Sequence, residues 1–350
     1  MKKLIAMIMA CAMALSLVAC GGSSSSGSSS APEYSAENPL TLRLASDAPL
    51  EHIATGLNED VCAAIAEKTE GRVQVQYLGA STLGSYETVY EELMMGTIDF
   101  AQITLPDATD PLLGCAYLPY YATNYEQAKE LLAPDGVMAT TIGEITAQQG
   151  VKFLGFCLEG FIGLGSTKEI PNLLDIEADK GIKCRSANMV TFRYVLEDLH
   201  LNPVAVAYNE VPTAIQTNVV DGWVGGTPNI NYAWVGDVIN YMYVNYIHPE
   251  ATSYVASQKT LNKLTEEDRA IVIECFEAAS AESFVKAEEN EKVYMQKMVD
   301  DYGIEVVEFT PEQIAPIAEY VRDVTWTRLE ADLGSDFINA CRADVEAKGY

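Results

Sequence analysis

The stretch that most constrains the fold is residues 181–226, where short apolar runs alternate with amphipathic segments between glycines. This pattern predicts strand, helix, strand, helix, strand, which is typical of a parallel sheet covered by helices. Arg185 follows the first predicted strand, residues 182–184. Because ligands of open α/β sheets bind outside the carboxyl ends of strands, we expect Arg185 at the edge of a cleft. Its guanidinium stays charged and can donate two parallel hydrogen bonds to a carboxylate. The alternative is a surface arginine paired with one of the 50 acidic residues.

Two motifs in this stretch resemble a known family. Residues 181–185 read Gly-Ile-Lys-Cys-Arg, and residues 210–222 read Glu-Val-Pro-Thr-Ala-Ile-Gln-Thr-Asn-Val-Val-Asp-Gly. Together they resemble the solute-binding proteins of tripartite ATP-independent periplasmic (TRAP) transporters, whose signature is a strand ending in Lys-x-Arg and then a similar helix and turn. Residues 71–104 match the amino-terminal pattern of the same family. The resemblance therefore covers both halves of the chain.

The resemblance implies an α/β, two-lobe, periplasmic-binding-protein-like fold with a cleft between the lobes and a long connecting helix. It also implies capture of an organic acid by lobe closure, and delivery to a TRAP membrane permease driven by an ion gradient. The same architecture suits a binding lipoprotein of an ATP-driven importer or a sensor system, and an extracellular hydrolase is a third alternative. The sequence contains no Walker loop, dinucleotide fingerprint, nucleophile elbow or zinc-protease motif, so we expect neither an enzyme nor a cofactor.

The amino terminus predicts export. Lys2 and Lys3 precede an apolar run, residues 4–18, that is too short for a mature transmembrane helix, and small residues then lead to Cys20. This segment resembles a lipoprotein signal, with residues 1–19 removed and Cys20 lipidated. The Gly/Ser-rich residues 20–37 predict a flexible tether with a reach on the order of 20 Å. We therefore expect a protein anchored by lipid to the outer face of the cytoplasmic membrane, at the cell surface or in the periplasm.

About 310 residues follow the tether, which suits two α/β lobes better than one. We predict lobe I from residues 38–157 with about 247–285, and lobe II from 158–246 with about 286–350. Residues 265–301 contain no glycine or proline and predict one helix roughly 55 Å long. The other predicted elements are strands near 41–45, 73–77, 98–104, 151–156, 241–247, 253–257 and 304–307, and helices at 53–68, around 89–94, and from 311 through about 346.

The charge of the chain argues against polyanionic partners. The net charge is −28, and it becomes −30 once Lys2 and Lys3 leave with the signal. Such a surface repels nucleic acid and anionic lipid. Beyond Cys11 and Cys20, six cysteines are scattered without metal-ligand spacing, so we interpret them mostly as small buried apolar residues, although disulfides stay open.

Two departures from the family pattern bear on the ligand. Ile162 stands where many members carry a second cleft arginine, and Trp223 with two glycines follows the Asp-Gly turn where polar residues are common. Because each buried charge needs a partner, one arginine predicts a monocarboxylate, with Trp223 as a flat wall for an apolar or aromatic body. The alternative is that Trp223 faces the core and Arg193 or Lys183 supplies a second charge. The remaining candidate contacts are Asn188, Phe161, Tyr208, Thr227 and Tyr120.

Overall fold

The computed structural model of the protein describes residues 34–350, which form one nine-stranded mixed sheet with helices packed against it. The predicted signal, the lipidation site Cys20 and most of the tether lie outside the described residues. The strands are β1 (Leu40–Ser46), β2 (Val73–Leu78), β3 (Phe100–Ile103), β4 (Val151–Ser166), β5 (Lys183–Ser186), β6 (Asn202–Ala205), β7 (Gly222–Gly226), β8 (Tyr241–Ser257) and β9 (Glu305–Glu308).

The helices between these strands follow the order that the sequence predicts. Within residues 34–350, none is long and apolar enough to cross a membrane. They are α1 (Ile53–Lys68), α2 (Tyr86–Met95), α3 (Tyr125–Leu131), α4 (Val137–Gln148), α5 (Val190–Asp198), α6 (Val211–Gln216), α7 (Pro228–Val235), α8 (Gln258–Leu261), α9 (Glu266–Tyr302), α10 (Pro311–Leu333) and α11 (Ser335–Ala347), with short 3₁₀ helices at Pro111–Tyr117 and Tyr208–Glu210.

The sheet has a parallel group of strands at each end and an antiparallel pair between them. The order is β2-β1-β3-β8-β4-β7-β5-β6, with β9 paired to β8. β1 pairs with β2 and β3 in parallel, and β5 pairs with β6 and β7 in parallel. The strand, helix, strand, helix, strand pattern predicted for residues 181–226 is confirmed, because β5, α5, β6, α6 and β7 occur there in that order.

The long strands β4 and β8 join the two parallel groups. β8 pairs with β3 through its carboxyl-terminal part and with β9 through its amino-terminal part. The prediction of two separate strands, 241–247 and 253–257, is wrong, because β8 runs unbroken through Pro249. Pro249 faces Phe161 beside a register shift that begins after Leu158, so its missing N–H falls where the ladder is already irregular.

Helix α9 is a third connection between the halves, beside β4 and β8. It is one helix of 37 residues, about 55 Å long, as the sequence predicts. Thr265 caps its start by accepting a hydrogen bond from the Asp268 backbone N–H at 3.1 Å, and Gly303 ends it in the left-handed region at φ 68°. The Ser280 hydroxyl donates to the Phe156 carbonyl at 2.6 Å, which fixes the helix to β4.

The apolar core has one cluster that extends over both halves, with Ile103 and Phe192 among its members, and smaller clusters within each half. Leu44, Phe100 and Phe276 belong to a cluster beneath α1 and α9, whereas Trp223 and Met242 belong to one beside β7. The six cysteines within the described residues are all unbridged; five are buried and Cys62 is partly buried. They serve as small apolar side chains, as the sequence predicts.

Candidate functional site

A cavity lies where the two parallel groups of strands meet. The space between its lining atoms, counted together with open solvent at the mouth, is about 570 Å³. The first half of the sheet contributes Asp47, Tyr86 and Tyr117; the second contributes Arg185, Phe192 and Tyr208; the long middle strands contribute Glu159, Glu250 and Thr252.

Arg185 lies on β5 between β6 and β7, in register with Val204 and Trp223. Its side chain is buried, with the residue only 3% exposed. Nε donates to the Val206 carbonyl at 3.0 Å, and Nη1 donates to the Val224 carbonyl at 3.4 Å. Within residues 34–350 no carboxylate forms a salt bridge with it, and burial lowers its pKa. The guanidinium is therefore held by backbone carbonyls and lines the cavity without a charged partner.

Trp223 supports Arg185 from behind. Its ring is fully buried, its Nε1 donates to Asn231 Oδ1 at 2.8 Å, and the Arg185 Cζ lies 6.0 Å from the ring centroid. The residue does not line the cavity. Gly225, at φ +143°, leaves room for the arginine, since a Cβ there would lie 2.5 Å from Arg185 Nη1. The sequence predicted that the Trp223 ring forms a wall of the ligand cavity. That prediction is wrong, because Trp223 packs beneath Arg185, outside the cavity.

Glu250 and Asp47 bring negative charge to the same cavity. Glu250 is 8% exposed and accepts a hydrogen bond from the Tyr117 hydroxyl at 2.7 Å. Burial raises the pKa of Glu250 to about 8, against the opposing effects of that hydrogen bond and of the Arg185 charge. Burial also raises the pKa of Asp47 to about 6. Removal of these carboxyls from water makes their ionised forms costly.

Glu159 is held by a network that reaches across the sheet. Its Oε1 accepts hydrogen bonds from Gln102 Nε2 and Thr252 Oγ1, both at 2.7 Å. Its Oε2 lies 3.5 Å from His52 Nε2. Burial, and then the charge of Glu250, raise the pKa of Glu159 well above its usual value, while burial lowers the pKa of His52 to about 3. The neutral histidine therefore does not compensate the charge of Glu159.

An apolar wall faces these polar groups. Phe192 on α5 packs against Tyr117 and His248, with ring centroids 5.4 and 4.4 Å apart. Met189 and Ile230 line the cavity beside it. This wall offers a surface for the carbon skeleton of a solute.

The other predicted contacts lie in different places. Of the candidate residues, Arg185 and Tyr208 line the cavity. Phe161 packs in the core between Tyr125 and Tyr246, and Tyr120 is fully buried. Thr227 caps α7 by accepting from the Ile230 backbone N–H at 3.5 Å, and Asn188 lies on a separate groove. Neither the exposed Arg193 nor the exposed Lys183 lines the cavity.

Sequence reasoning missed the three cavity carboxyls. A signal existed for two of them, because Glu159 and Glu250 are single acids inside otherwise largely apolar strand sequences. A charged residue in a buried strand is costly and commonly marks a functional site. Asp47 had a weaker signal, its position in the loop that follows β1.

Similarity to known proteins agrees with this geometry. Residues 45–330 match the family model of bacterial extracellular solute-binding proteins, family 7, named DctP. A solute-binding protein of Chromohalobacter salexigens is 25% identical over 249 residues, which are 69% of this chain and 71% of that protein.

Solved structures show the same fold. A TRAP periplasmic solute-binding protein of Haemophilus influenzae with bound L-gulonate matches with a TM-score of 0.76 and 20% identity, over 87% of this chain and 99% of that chain. The sugar acid binding protein of Advenella mimigardefordensis in complex with galactonate matches with a TM-score of 0.78 and 19% identity, over 88% and 99%. The chain thus has the two-lobe periplasmic-binding fold, and it belongs to family 7 of the bacterial extracellular solute-binding proteins, a family of receptors.

Proposed function

We propose that this receptor captures an organic acid through a carboxylate bound to Arg185. The observation that carries the proposal is a buried guanidinium that lines a cavity and has no carboxylate partner within the described residues. A buried charge without a partner is unfavourable, so a ligand anion would stabilise it. The gulonate and galactonate bound to two related structures are organic acids, which supports the same ligand class here.

The ligand of this proposal has one carboxylate and an apolar or aromatic body. Among the cavity-lining residues of the described chain, Arg185 is the only cation, so a second carboxylate would enter without a partner. The apolar wall of Met189, Phe192 and Ile230 supports the second half of the proposal. Tyr208 adds an aromatic face, packed at a tilt against Trp234 with ring centroids 4.4 Å apart.

Binding would close the two lobes around the ligand. Contacts between the two halves support this step: the Ile53 backbone N–H donates to Asn229 Oδ1 at 3.2 Å, and the Tyr294 hydroxyl donates to the Glu51 carbonyl at 3.0 Å. A ligand held from both sides favours the closed state by its contacts there. Arg185 comes from the second half of the sheet, and Asp47 from the first.

The loaded receptor would then deliver its solute to an ion-gradient-driven TRAP permease, while a lipid on Cys20 holds it at the membrane. Family membership supports the permease, and the sequence of residues 1–20 supports the anchor. Cys20→Ser removes the lipidated thiol, so the protein should move from the membrane fraction to the soluble fraction. Retention of the variant in the membrane fraction would contradict the anchor.

Titration calorimetry with Arg185→Lys tests carboxylate capture. Lysine keeps the charge but loses the two-pronged donor geometry, so binding of the acid that co-purifies, identified by mass spectrometry, should weaken by roughly 2 to 4 kcal/mol. Arg193→Lys is the matched control, because Arg193 is exposed and lies outside the cavity. Wild-type affinity in Arg185→Lys would overturn the proposed role of Arg185.

A further inference from the structure

The cavity holds more negative groups than one arginine can balance. Arg185 faces three carboxyls, those of Asp47, Glu159 and Glu250, among the lining residues of the described chain. A ligand carboxylate bound to Arg185 uses the single cation and leaves all three acids without a counter-charge. Each buried carboxylate must then either stay protonated or find a cation.

Glu159 is arranged as an acceptor. The Gln102 side-chain oxygen accepts from Ser46 Oγ at 2.7 Å and from Asn58 Nδ2 at 3.2 Å, which turns its amide nitrogen toward Glu159. That nitrogen and the Thr252 hydroxyl both donate to Glu159 Oε1. These two donors oppose the rise in the Glu159 pKa that burial causes, so a nearby cation would need less to ionise the carboxyl. The other oxygen, Oε2, has the Nε2–H of the neutral His52 at 3.5 Å, a long contact that leaves room for a closer donor.

Glu250 repeats this arrangement on the neighbouring long strand. Its Oε1 accepts from the Tyr117 hydroxyl, and its second oxygen has no hydrogen-bond donor in the described part of the chain. The Arg185 charge is near enough to affect the pKa of Glu250, yet the two side chains form no salt bridge. Glu250 therefore has one carboxyl oxygen available to a ligand, and a ligand cation beside it would favour its ionised form.

A metal ion does not account for these acids. Between residues 34 and 350, no three His, Cys, Asp or Glu side chains come together as a metal site would require. The nearby His52 is unsuited as a counter-ion, because it accepts from the Ala54 backbone N–H through Nδ1 and is buried as a neutral ring. In the ligand-free protein the raised pKa values let these acids stay protonated, and a cationic group on an organic ligand would supply the counter-charge that ionises them.

We infer that the solute is a zwitterion of the amino-acid class, whose carboxylate binds Arg185 and whose ammonium group lies against Glu159 and Glu250. The ammonium supplies donors for the second oxygens of Glu159 and Glu250 and the positive charge that the cavity lacks. This inference rests on the proposed function, since it assigns the second end of the same ligand. A polyhydroxy acid is the rival ligand, because its hydroxyls would donate to the same oxygens without adding charge.

Matched ligand sets separate the two ligand classes. Each set holds an amino acid, its hydroxy analogue and its unsubstituted analogue: leucine, leucic acid and isocaproic acid; phenylalanine, phenyllactic acid and hydrocinnamic acid; gamma-aminobutyric, gamma-hydroxybutyric and butyric acids. Galactonate represents the polyhydroxy acids. In titration calorimetry, the amino member of at least one set should bind at least ~30-fold more tightly than its two analogues and than galactonate. Equal or tighter binding of a hydroxy acid or of galactonate overturns the inference and leaves carboxylate capture standing.

Substitutions of the two glutamates test whether they bind the ammonium group of the ligand. Glu159→Gln and Glu250→Gln each keep the side-chain shape and remove the charge, so each should weaken the amino acid at least ~10-fold. Glu277→Gln, an exposed site on α9, is the matched control and should change nothing. If one of the two glutamine variants fails to fold, the other still tests the inference. Unchanged affinity for the amino acid in a folded variant overturns the inference. Arg185→Lys should weaken every member of a set alike; if it weakens none, the proposed function itself fails.

Discussion

Gly225 decides where the Arg185 guanidinium can lie. At φ +143°, with the place of a Cβ only 2.5 Å from Arg185 Nη1, the position excludes any larger residue unless the arginine moves. Gly225→Ala should therefore displace the anchor and lower affinity for the ligand at least ~10-fold, as calorimetry would measure.

Gly143 on α4 provides the control, because a Cβ there meets no atom within 4 Å. Gly143→Ala should keep full affinity and stabilise the helix by up to about 1 kcal/mol. Full affinity in a folded Gly225→Ala would show that the guanidinium is not held where ligand binding needs it.

The positions of individual side chains are what the sequence predicted least well. Arg185 could be placed at a strand end because a parallel strand exposes its carboxyl end to the cleft. The position of Trp223 could not be predicted, because an apolar residue in a strand gives the same sequence pattern whether its side chain faces the cavity or the core. Its partner Asn231 lies eight positions away on α7, in a contact that no periodicity encodes. Glu159 and Glu250 lie on different strands that only the sheet brings together.

At the element scale, α9 depends on its first turn. Thr265 caps the helix, and the buried Asp268 beside it accepts hydrogen bonds from Arg72 at 2.7 Å and from Tyr34 at 2.8 Å. Thr265→Ala removes the cap and should lower the free energy of unfolding by about 1 kcal/mol in urea titration. The exposed Thr140 on α4 is the control, and its alanine variant should stay within ~0.5 kcal/mol of the parent. Equal effects of both substitutions would show that the cap does not hold the helix.

Elements with a strong local pattern could be predicted from the sequence, and those shaped by partners could not. The length of α9 follows from a run free of glycine and proline that Thr265 and Gly303 bound. The unbroken β8 could not be predicted, because Pro249 interrupts the strand pattern and its toleration depends on a register shift in β4. The order of strands across the sheet likewise depends on contacts far apart in the chain.

Across the whole molecule, buried acids and buried histidines affect the free energy of unfolding in opposite directions as the pH falls. Burial raises the pKa of Glu250 to about 8 and that of Glu291 to about 7, so the folded chain binds these protons at a pH where the unfolded chain does not. Stability of the ligand-free protein should therefore increase as pH falls from 8 to 6.5. His52 and His248, with pKa lowered from 6.5 to about 3, bind protons only after unfolding and reduce stability below pH 6.5.

Urea unfolding across this range measures both slopes. Glu250→Gln is the informative variant, because glutamine does not titrate and should flatten the rise between pH 8 and 6.5. A parent protein whose stability falls over that interval would contradict the assignment of buried protonated carboxyls.

Three elements connect the two halves: β4, β8 and α9. Gly160 lies within the irregular part of β4 at φ +130°, a conformation that lets the strand turn between the halves. Asn229 accepts from the Ile53 backbone N–H, so it holds the halves together on one side of the cavity. If the ligand favours this closed state, small-angle scattering should show a smaller radius of gyration when saturating ligand is added. Arg185→Ala should show no decrease at the same ligand concentration, because its anchor is lost. Tight binding with an unchanged radius would mean that the lobes do not move, and the receptor would then have to present its solute to a permease from a fixed cleft.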